Sequence, residues 1–377
     1  MAKELAHFKN FAKLKDTKVA FNDITVIAGK PGTGKSYVMK MMYAIDEGKH
    51  KTTLQSLDSL NRALKEVLSV VSDDDDASQE LFKEKVNEYK NLHLEEKNNI
   101  ESKFQLNVDN ITTSIFKNLE QISINFEITR NDIKLSFNKE LKVQVISKVF
   151  TNKKDNLSAS VLSETIPDMA IFVETPLILE FYKFMDRTKN KTPYHIESLM
   201  NVLKEDYSFP DEEEKNFIDS FIKKSKNIIH GDIHSDGDSF SFEKDGKTYD
   251  IVNASSGTKS IGLLQYLVTN KALKKGSVLY WEEPEVHLHP EWQLRMIELF
   301  VELMNAGVKI VFSTHSPFMA DYLNALSKRN EFADRISFNV FKENDGAVEN
   351  HILDENNWNI LQDELMDSFE DILWTYL

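Results

Sequence analysis

The chain has 377 residues, 41% of them hydrophobic and 28% charged, which is the balance of a globular protein rather than a disordered or fibrous one. Its formal net charge of −15 supplies no overall attraction to nucleic acid, and the absence of cysteine excludes disulfides and thiolate metal sites. No segment has the apolar run of a signal peptide or the roughly 18 apolar residues of a membrane span. We therefore expect a cytoplasmic protein with no membrane partner, built as one main body that carries a sizeable insertion.

The first predicted elements are short strands at residues 5–11, 19–21 and 24–28, each recognised by alternating or continuous apolar residues. A glycine-rich turn follows the third strand at once. Apolar residues at helical spacing then predict a helix from residue 36 to about 45. The turn is therefore expected between a buried strand and the N-terminus of a helix.

This turn is a complete match to the phosphate-binding P-loop pattern in the strand, loop and helix context that the pattern requires. The matching residues are Gly29, Lys30, Pro31, Gly32, Thr33, Gly34, Lys35 and Ser36. Glycines let the loop backbone approach phosphates closely, and the N–H groups at a helix N-terminus favour anions. We expect ATP as the ligand, with Lys35 reaching the β- and γ-phosphates and the Ser36 hydroxyl binding Mg²⁺.

The middle of the chain predicts a mixed insertion. Helical spacing at residues 54–71 and again at 81–122 predicts a helical hairpin with the acidic run 73–76 at its tip. A three-stranded antiparallel meander is expected at 124–150, a strand returning to the core at 171–173, helices over 175–226 and a β-hairpin at 240–251. We divide the chain into the first part of the main body (1–50), the inserted subdomain (51–240) and the second part of the body (241–377).

An apolar strand at 278–281 ends abruptly in acidic residues, at the place where a P-loop enzyme keeps its second Mg²⁺-linked carboxylate. Carboxylates buried at the end of a sheet are costly unless a cation compensates them. We expect Glu282 to hold Mg²⁺ through water, and Glu283 to orient or deprotonate the attacking water as general base.

Two further motifs complete the set. The strand before Ser313 ends in polar residues, and its position one strand after the acidic pair makes His315 the candidate sensor of the γ-phosphate. A small polar turn at residues 253–260 precedes a helical run, and its hydroxyl and N–H groups form an anion-binding helix start.

These four motifs, in this order, resemble the ABC ATPases of the SMC, RecF and OLD-like branch, including compact ATPases of bacterial anti-phage and toxin-like systems. The resemblance implies an α/β fold: an ABC-type P-loop ATPase body with an inserted helical hairpin and an antiparallel β and helical subdomain. In that family the Ser-Gly turn is the signature motif that binds the γ-phosphate of ATP held by the other subunit. The resemblance thus implies a homodimer in which Ser255, Ser256 and Gly257 contact ATP, with Lys259 beside them.

Family members place Asp where this chain has Glu282, a departure that leaves the hydrolysis rate open but not ATP binding. About sixty residues follow His315, too few for the nuclease domain that OLD-family enzymes append, so no nuclease is expected in this chain. We expect a Mg-ATP-dependent dimerising ATPase that switches a separate effector, a nuclease or toxin of a defence system.

Other functions stay open at this point. The main alternative is a repair or chromosome-maintenance ATPase that clamps DNA, which salt-sensitive DNA binding would favour. A transporter ATPase and a nucleotide-binding scaffold that does not hydrolyse ATP are the others.

Overall fold

A computed structural model describes residues 4–69, 76–116, 125–130, 133–137, 143–145, 169–185, 192–207 and 211–366. The strands are β1 (Glu4–Phe11), β2 (Leu14–Phe21), β3 (Ile24–Gly29), β4 (Phe126–Arg130), β5 (Ile133–Phe137), β6 (Val143–Val145), β7 (Ala170–Val173), β8 (Asp232–Ser235), β9 (Phe240–Lys244), β10 (Lys247–Asp250), β11 (Val278–Trp281), β12 (Lys309–Thr314), β13 (Ile336–Asn344) and β14 (Ala347–Ile352). The α-helices are α1 (Lys35–Ser69), α2 (Asp76–Ile115), α3 (Ile178–Met185), α4 (Tyr194–Lys204), α5 (Glu212–Ile229), α6 (Ser256–Thr269), α7 (Pro290–Asn305) and α8 (Pro317–Arg329). Residues 359–366 are also helical.

The core is a six-stranded sheet in the order β14-β13-β3-β12-β11-β7, parallel throughout except for the β13–β14 pair. Both faces are covered, because alternate residues of each strand enter different apolar clusters. In β11, Leu279 and Trp281 pack in the cluster that contains the apolar faces of α6, α7 and α8, whereas Val278 and Tyr280 pack in the cluster formed with α1 and α2. Parallel strands buried on both faces are read in sequence as continuous apolar runs, as they are here.

The second layer of β-structure is an antiparallel sheet in the order β2-β1-β4-β5-β6. The predicted three-stranded meander is confirmed as β4, β5 and β6. Its first strand pairs with β1, so the meander extends the N-terminal hairpin, and β7 joins the core sheet beside β11. Elements from within 51–240 thus pair with strands outside that range, and the division at residues 50 and 240 stays a prediction.

The helix after the P-loop differs from the prediction. In place of one helix ending near residue 45 and another over 54–71, α1 is continuous from Lys35 to Ser69. Gly48, in the polar stretch between the two predicted helices, lies where α2 crosses closely: a Cβ there would meet Val108 Cγ2 at 2.6 Å. The glycine serves helix–helix packing rather than termination.

The hairpin partner α2 begins at Asp76 and ends at Ile115, earlier than the predicted residue 122. The remainder of the acidic run, residues 73–75, lies outside the described residues. The hairpin predicted at 240–251 is confirmed as β9 and β10. Among the helices the structure describes, none is long and apolar enough to span a membrane.

Candidate nucleotide site

The P-loop joins the end of β3 to the start of α1. Gly32 and Gly34 have φ values of +80° and +89°, a region that residues with a Cβ rarely adopt. Among the described residues, no atom lies within 4 Å of the Cβ position that either glycine would have, so the space beside these two glycines is open. The loop fits phosphate groups, since its backbone can approach them without a side chain in the way.

Lys35 is buried at the first turn of α1, with 5% of its surface exposed. Its ammonium donates hydrogen bonds to the carbonyls of Gly29 at 2.8 Å and Lys30 at 3.0 Å. Burial lowers the pKa of Lys35 to about 8, and the surrounding carboxylates, led by Glu283, oppose that shift. The chain therefore keeps a partly desolvated cation beside the loop, where an additional anion would be attracted strongly.

Four neighbouring parallel strands end at this edge of the sheet. β3 ends in the P-loop, β12 leads to His315, β11 leads to Glu282 and Glu283, and β7 leads to Glu174. The register aligns these ends, because Trp281 is opposite Phe312 on one side and Val173 on the other. The structure therefore brings the P-loop, the acidic pair and the histidine to one edge of the sheet.

Glu283 and His315 form a pair. The Glu283 backbone has φ +45° and donates from its N–H to the Ser313 carbonyl at 3.2 Å, which turns the side chain out of β11. Glu283 Oε1 lies 3.2 Å from His315 Nε2, and 41% of the Glu283 side chain is exposed. Burial lowers the pKa of His315, with the Lys35 charge adding to the shift. A neutral imidazole can accept or donate here, so the pair can orient a water molecule.

Glu282 faces the start of α1. Burial raises its pKa to about 7, against the influence of Lys40 and of a hydrogen bond with Ser36. Its Oε1 is buried without a hydrogen-bond partner among the described residues. A carboxylate oxygen in this position, close to the Ser36 hydroxyl, is the donor set that Mg²⁺ prefers, so these residues fit the ion.

The signature residues form the start of α6. Ser255 caps α6, its side chain accepting a hydrogen bond from the Thr258 N–H at 3.1 Å. Gly257 is buried beside the Trp292 ring, and Lys259 points inward to pair with Glu180. Within the described ranges, no hydrogen bond or ion pair joins Ser255, Ser256 or Gly257 to the P-loop of the same chain.

The sequence-based prediction assigns no site role to Glu174, Glu285, Glu364 or Lys40. Glu174 and Glu285 nevertheless stand next to motifs that the prediction uses. Glu285 Oε1 accepts from the His315 N–H at 2.6 Å, while its other carboxylate oxygen is buried and has no hydrogen-bond partner among the described residues. Glu364, from the helical residues 359–366, accepts from the Lys30 N–H at 3.3 Å. Lys40 pairs with Glu174 and Glu282. Lys40 follows Ser36 by one helical turn and could have been found by periodicity, whereas Glu364 has no local signal.

The model of the AAA ATPase domain family matches residues 6–320. No functionally curated protein matches the chain. Solved structures that are similar to it include an Smc head bound to the C-terminal winged-helix domain of ScpA (12% identity, 94% of this chain and 98% of that one, TM-score 0.47). Another is the SMC head domain from Thermotoga maritima (11% identity, 94% and 100% covered, TM-score 0.43).

A third is an Smc head with an extended coiled coil bound to the C-terminal domain of ScpA, derived from Pyrococcus furiosus (11% identity, 96% and 98% covered, TM-score 0.45). The family match spans well over half of the chain and includes the P-loop, the acidic strand end and His315. The chain therefore belongs to the AAA ATPase domain family.

Proposed function

We propose that this protein is a Mg-ATP-dependent switch in which two copies of the chain close on ATP and separate after hydrolysis. The observation that carries the proposal is the convergence of the P-loop, Glu282, Glu283 and His315 at one edge of the sheet. Within the described residues, the signature turn makes no hydrogen bond or ion pair to that P-loop. A site assembled from one copy would lack the signature, so the complete site requires a second copy.

In the proposed cycle, Lys35 and the backbone N–H groups of the loop bind the phosphates. Ser36 and Glu282 would hold Mg²⁺, which, when bound, offsets the negative charge that develops on the transferred phosphoryl group. Glu283 accepts a proton from the attacking water, since its side chain is partly exposed and lies 3.2 Å from His315. His315 holds the Glu283 carboxylate in position and contacts the γ-phosphate.

The second copy contributes the N-terminus of α6. Ser256 is half-buried and Ser255 exposed at this helix start, where free N–H groups and the helix dipole attract an anion. Large apolar side chains near the motifs are exposed, with Val252 at 55%, Val286 at 39% and Phe318 at 56%. Val252 precedes the signature turn, Val286 follows Glu285, and Phe318 follows His315. A closed dimer would cover these three side chains.

The switch would act on a separate effector protein, of the kind that bacterial defence or toxin-like systems carry; this step rests on the family resemblance. The net charge of −15 favours a protein partner over nucleic acid.

A nucleic-acid clamp for repair or chromosome maintenance is the second candidate, and one observation favours it. Lys271, Lys274 and Lys275 lie together after α6, although the acidic residues Asp211, Glu213 and Glu214 line the same groove. DNA-stimulated hydrolysis, with binding that weakens steeply as salt rises, would select this candidate over the effector switch.

The test of the switch combines steady-state ATP hydrolysis with light scattering in the presence and absence of ATP. We expect hydrolysis by the wild type and its loss in Lys35→Ala and in Glu283→Gln, by about 10²- to 10⁴-fold where a general base is removed. Glu283→Gln should also accumulate as an ATP-bound dimer, whereas Lys35→Ala should stay monomeric. Absence of hydrolysis and of an ATP-dependent dimer in all three proteins would overturn the proposal.

A further inference from the structure

Lys40 places a positive charge between two carboxylates at the candidate Mg²⁺ site. It lies on α1, one helical turn after Ser36, and its side chain is 16% exposed. Its Nζ is 3.0 Å from Glu174 Oε1 and 3.8 Å from Glu282 Oε1. The ammonium therefore pairs with carboxylates from two different strands at once.

The two carboxylates are neighbours because their strands are. Val173 at the end of β7 is opposite Trp281 at the end of β11, and the Glu282 N–H donates to the Val173 carbonyl at 2.9 Å. Glu174 and Glu282 thus leave the sheet side by side. Two like charges this close repel each other unless a cation lies between them.

Each carboxylate is held differently. Both carboxylate oxygens of Glu174 have partners, one in Lys40 and the other in His195 Nε2 at 2.7 Å. The hydrogen bond from buried His195 is the main reason that the pKa of Glu174 falls to about 2. Glu282 Oε1 has no hydrogen-bond partner in the described part of the chain and faces Lys40 at ion-pair distance only. Glu174 therefore fixes the position of the Lys40 ammonium, and Glu282 keeps an oxygen available.

We propose that Lys40 is an internal counter-cation that keeps the Glu174–Glu282 pair stable without a metal and makes Mg²⁺ binding depend on nucleotide. The ammonium supplies part of the positive charge that a divalent ion would otherwise supply. Without nucleotide, Mg²⁺ therefore binds this pair only weakly. When ATP is bound, its phosphates add negative charge beside the pair, and binding of the divalent ion becomes favourable. Lys40 is a positioning residue in this scheme, and the inference rests on the proposed role of Glu282 as a Mg²⁺ ligand.

The experiment compares the unfolding temperature of the nucleotide-free, full-length protein with and without millimolar MgCl₂. The wild type should show no shift with Mg²⁺. Lys40→Gln, which keeps a hydrogen-bond donor for Glu174 but removes the charge, should be stabilised by Mg²⁺ alone, and Lys40→Arg should behave as the wild type. Lys40→Met serves as a second neutral variant, and Lys224→Met, which removes an ion pair with Glu302 between α5 and α7, is the charge-matched control.

A second readout is the Mg²⁺ concentration that half-saturates binding of a fluorescent ATP analogue. This Mg²⁺ concentration should fall about fivefold or more in Lys40→Gln, because about fivefold is the factor for two unit charges about 4 Å apart under water-like screening and the ion carries two charges. Loss of nucleotide binding in both neutral variants would overturn the inference, since Lys40 would then contact the nucleotide itself. Unchanged Mg²⁺ dependence in both readouts would equally overturn it.

Failure of the inference and failure of the proposed function can be told apart. Adding Glu282→Gln to Lys40→Gln should abolish the stabilisation by Mg²⁺ alone, and persistence of that stabilisation would contradict the assignment of the ion to this pair. The ATP-dependent dimer of Glu283→Gln reports the switch independently. A Mg²⁺ effect without a dimer would therefore refute only the switch.

Discussion

Two charged networks lie between the same elements, α1 and β11, and they are built differently. In the first, Arg130 from β4 donates to Asp46 Oδ1 at 2.7 Å, and the Tyr280 hydroxyl donates to Asp46 Oδ2 at 2.6 Å. Arg130 also pairs with Glu4 on β1. Burial alone would raise the pKa of Asp46, but the charges of Arg130 and Lys49 bring it below its usual value. Both carboxylate oxygens of Asp46 have partners, so this network is closed.

The second network lies after Tyr280 on the β11 side but before Asp46 on α1, and it is open. Glu282 follows Tyr280 by two residues. Among the residues that the structure describes, Glu282 and Glu285 each retain a buried oxygen without a hydrogen-bond partner. Buried polar atoms without partners are rare and require an explanation such as a ligand. The fold thus completes its own charge pairing in the first network and leaves it incomplete at the site where we propose that Mg²⁺ and ATP bind.

Breaking the closed network should have the largest effect on stability. Arg130→Met leaves Asp46 buried without its main cation, so the free energy of unfolding should fall by about 3–5 kcal/mol. Denaturant titration measures the change. Lys134→Met, which removes the half-exposed pair with Glu127 on the adjoining strand, should cost at most about 1 kcal/mol. Equal costs for the two variants would show that the closed network contributes nothing beyond a surface ion pair.

The neighbouring residues Asp46 and Glu47 on α1 have pKa shifts in opposite directions. Glu47 is 5% exposed, and its Oε1 accepts a hydrogen bond from the Tyr194 hydroxyl at 2.8 Å. Burial raises its pKa to about 7, opposite to the shift of Asp46, because no cation compensates its charge fully. Between about pH 4.5 and 7 the native state binds more protons on Glu47 than the unfolded state, so stability falls as the pH rises through this window.

Glu47→Gln should remove that loss. Above about pH 7 the variant should be more stable than the wild type, by up to about 3 kcal/mol, and the difference should vanish towards pH 4.5. Unfolding free energies measured across this pH range test the expectation. A variant that is less stable at high pH would show that the Glu47 carboxylate is compensated by charge after all.

The smallest expected effect concerns Glu364, beside the P-loop. The Glu364 carboxylate accepts from the Lys30 N–H, and its charge acts on Lys35. Removing this negative charge in Glu364→Gln should strengthen ATP binding by up to about fivefold, since less repulsion opposes the phosphates. Titration with a fluorescent nucleotide at two salt concentrations tests this. Weaker binding would indicate instead that the Glu364 carboxylate orders the loop.

The sequence predicts the parts of this molecule that local pattern determines. Residues 29–36 are recognisable because the loop, strand and helix are contiguous, and Glu282, Glu283 and His315 because acids or a histidine end apolar strands. The order of strands in the core sheet does not follow from such patterns. It is the pairing of β7 with β11 that brings Glu174 beside Glu282.

Contacts between distant segments account for what sequence reasoning missed. Arg130 and Asp46 are 84 positions apart, and Glu364 and Lys30 are 334 apart, so no spacing rule links them. The continuity of α1 was missed for a related reason. No apolar side chain stands between Ile45 and Leu54, so the local pattern stops there, whereas in the fold Gly48 of this stretch packs closely against Val108 of α2.

In the proposed dimer, each ATP site combines the P-loop of one copy with the signature turn of another. The most direct test mixes two variants, Lys35→Ala and Ser256→Arg, the latter keeping the Ser255 cap of α6. Each protein alone should hydrolyse no ATP, whereas the mixed dimer contains one site with both parts intact. The account predicts that hydrolysis returns on mixing, in proportion to the mixed dimer formed. A mixture as inactive as its separate components, with both variants folded, would contradict it.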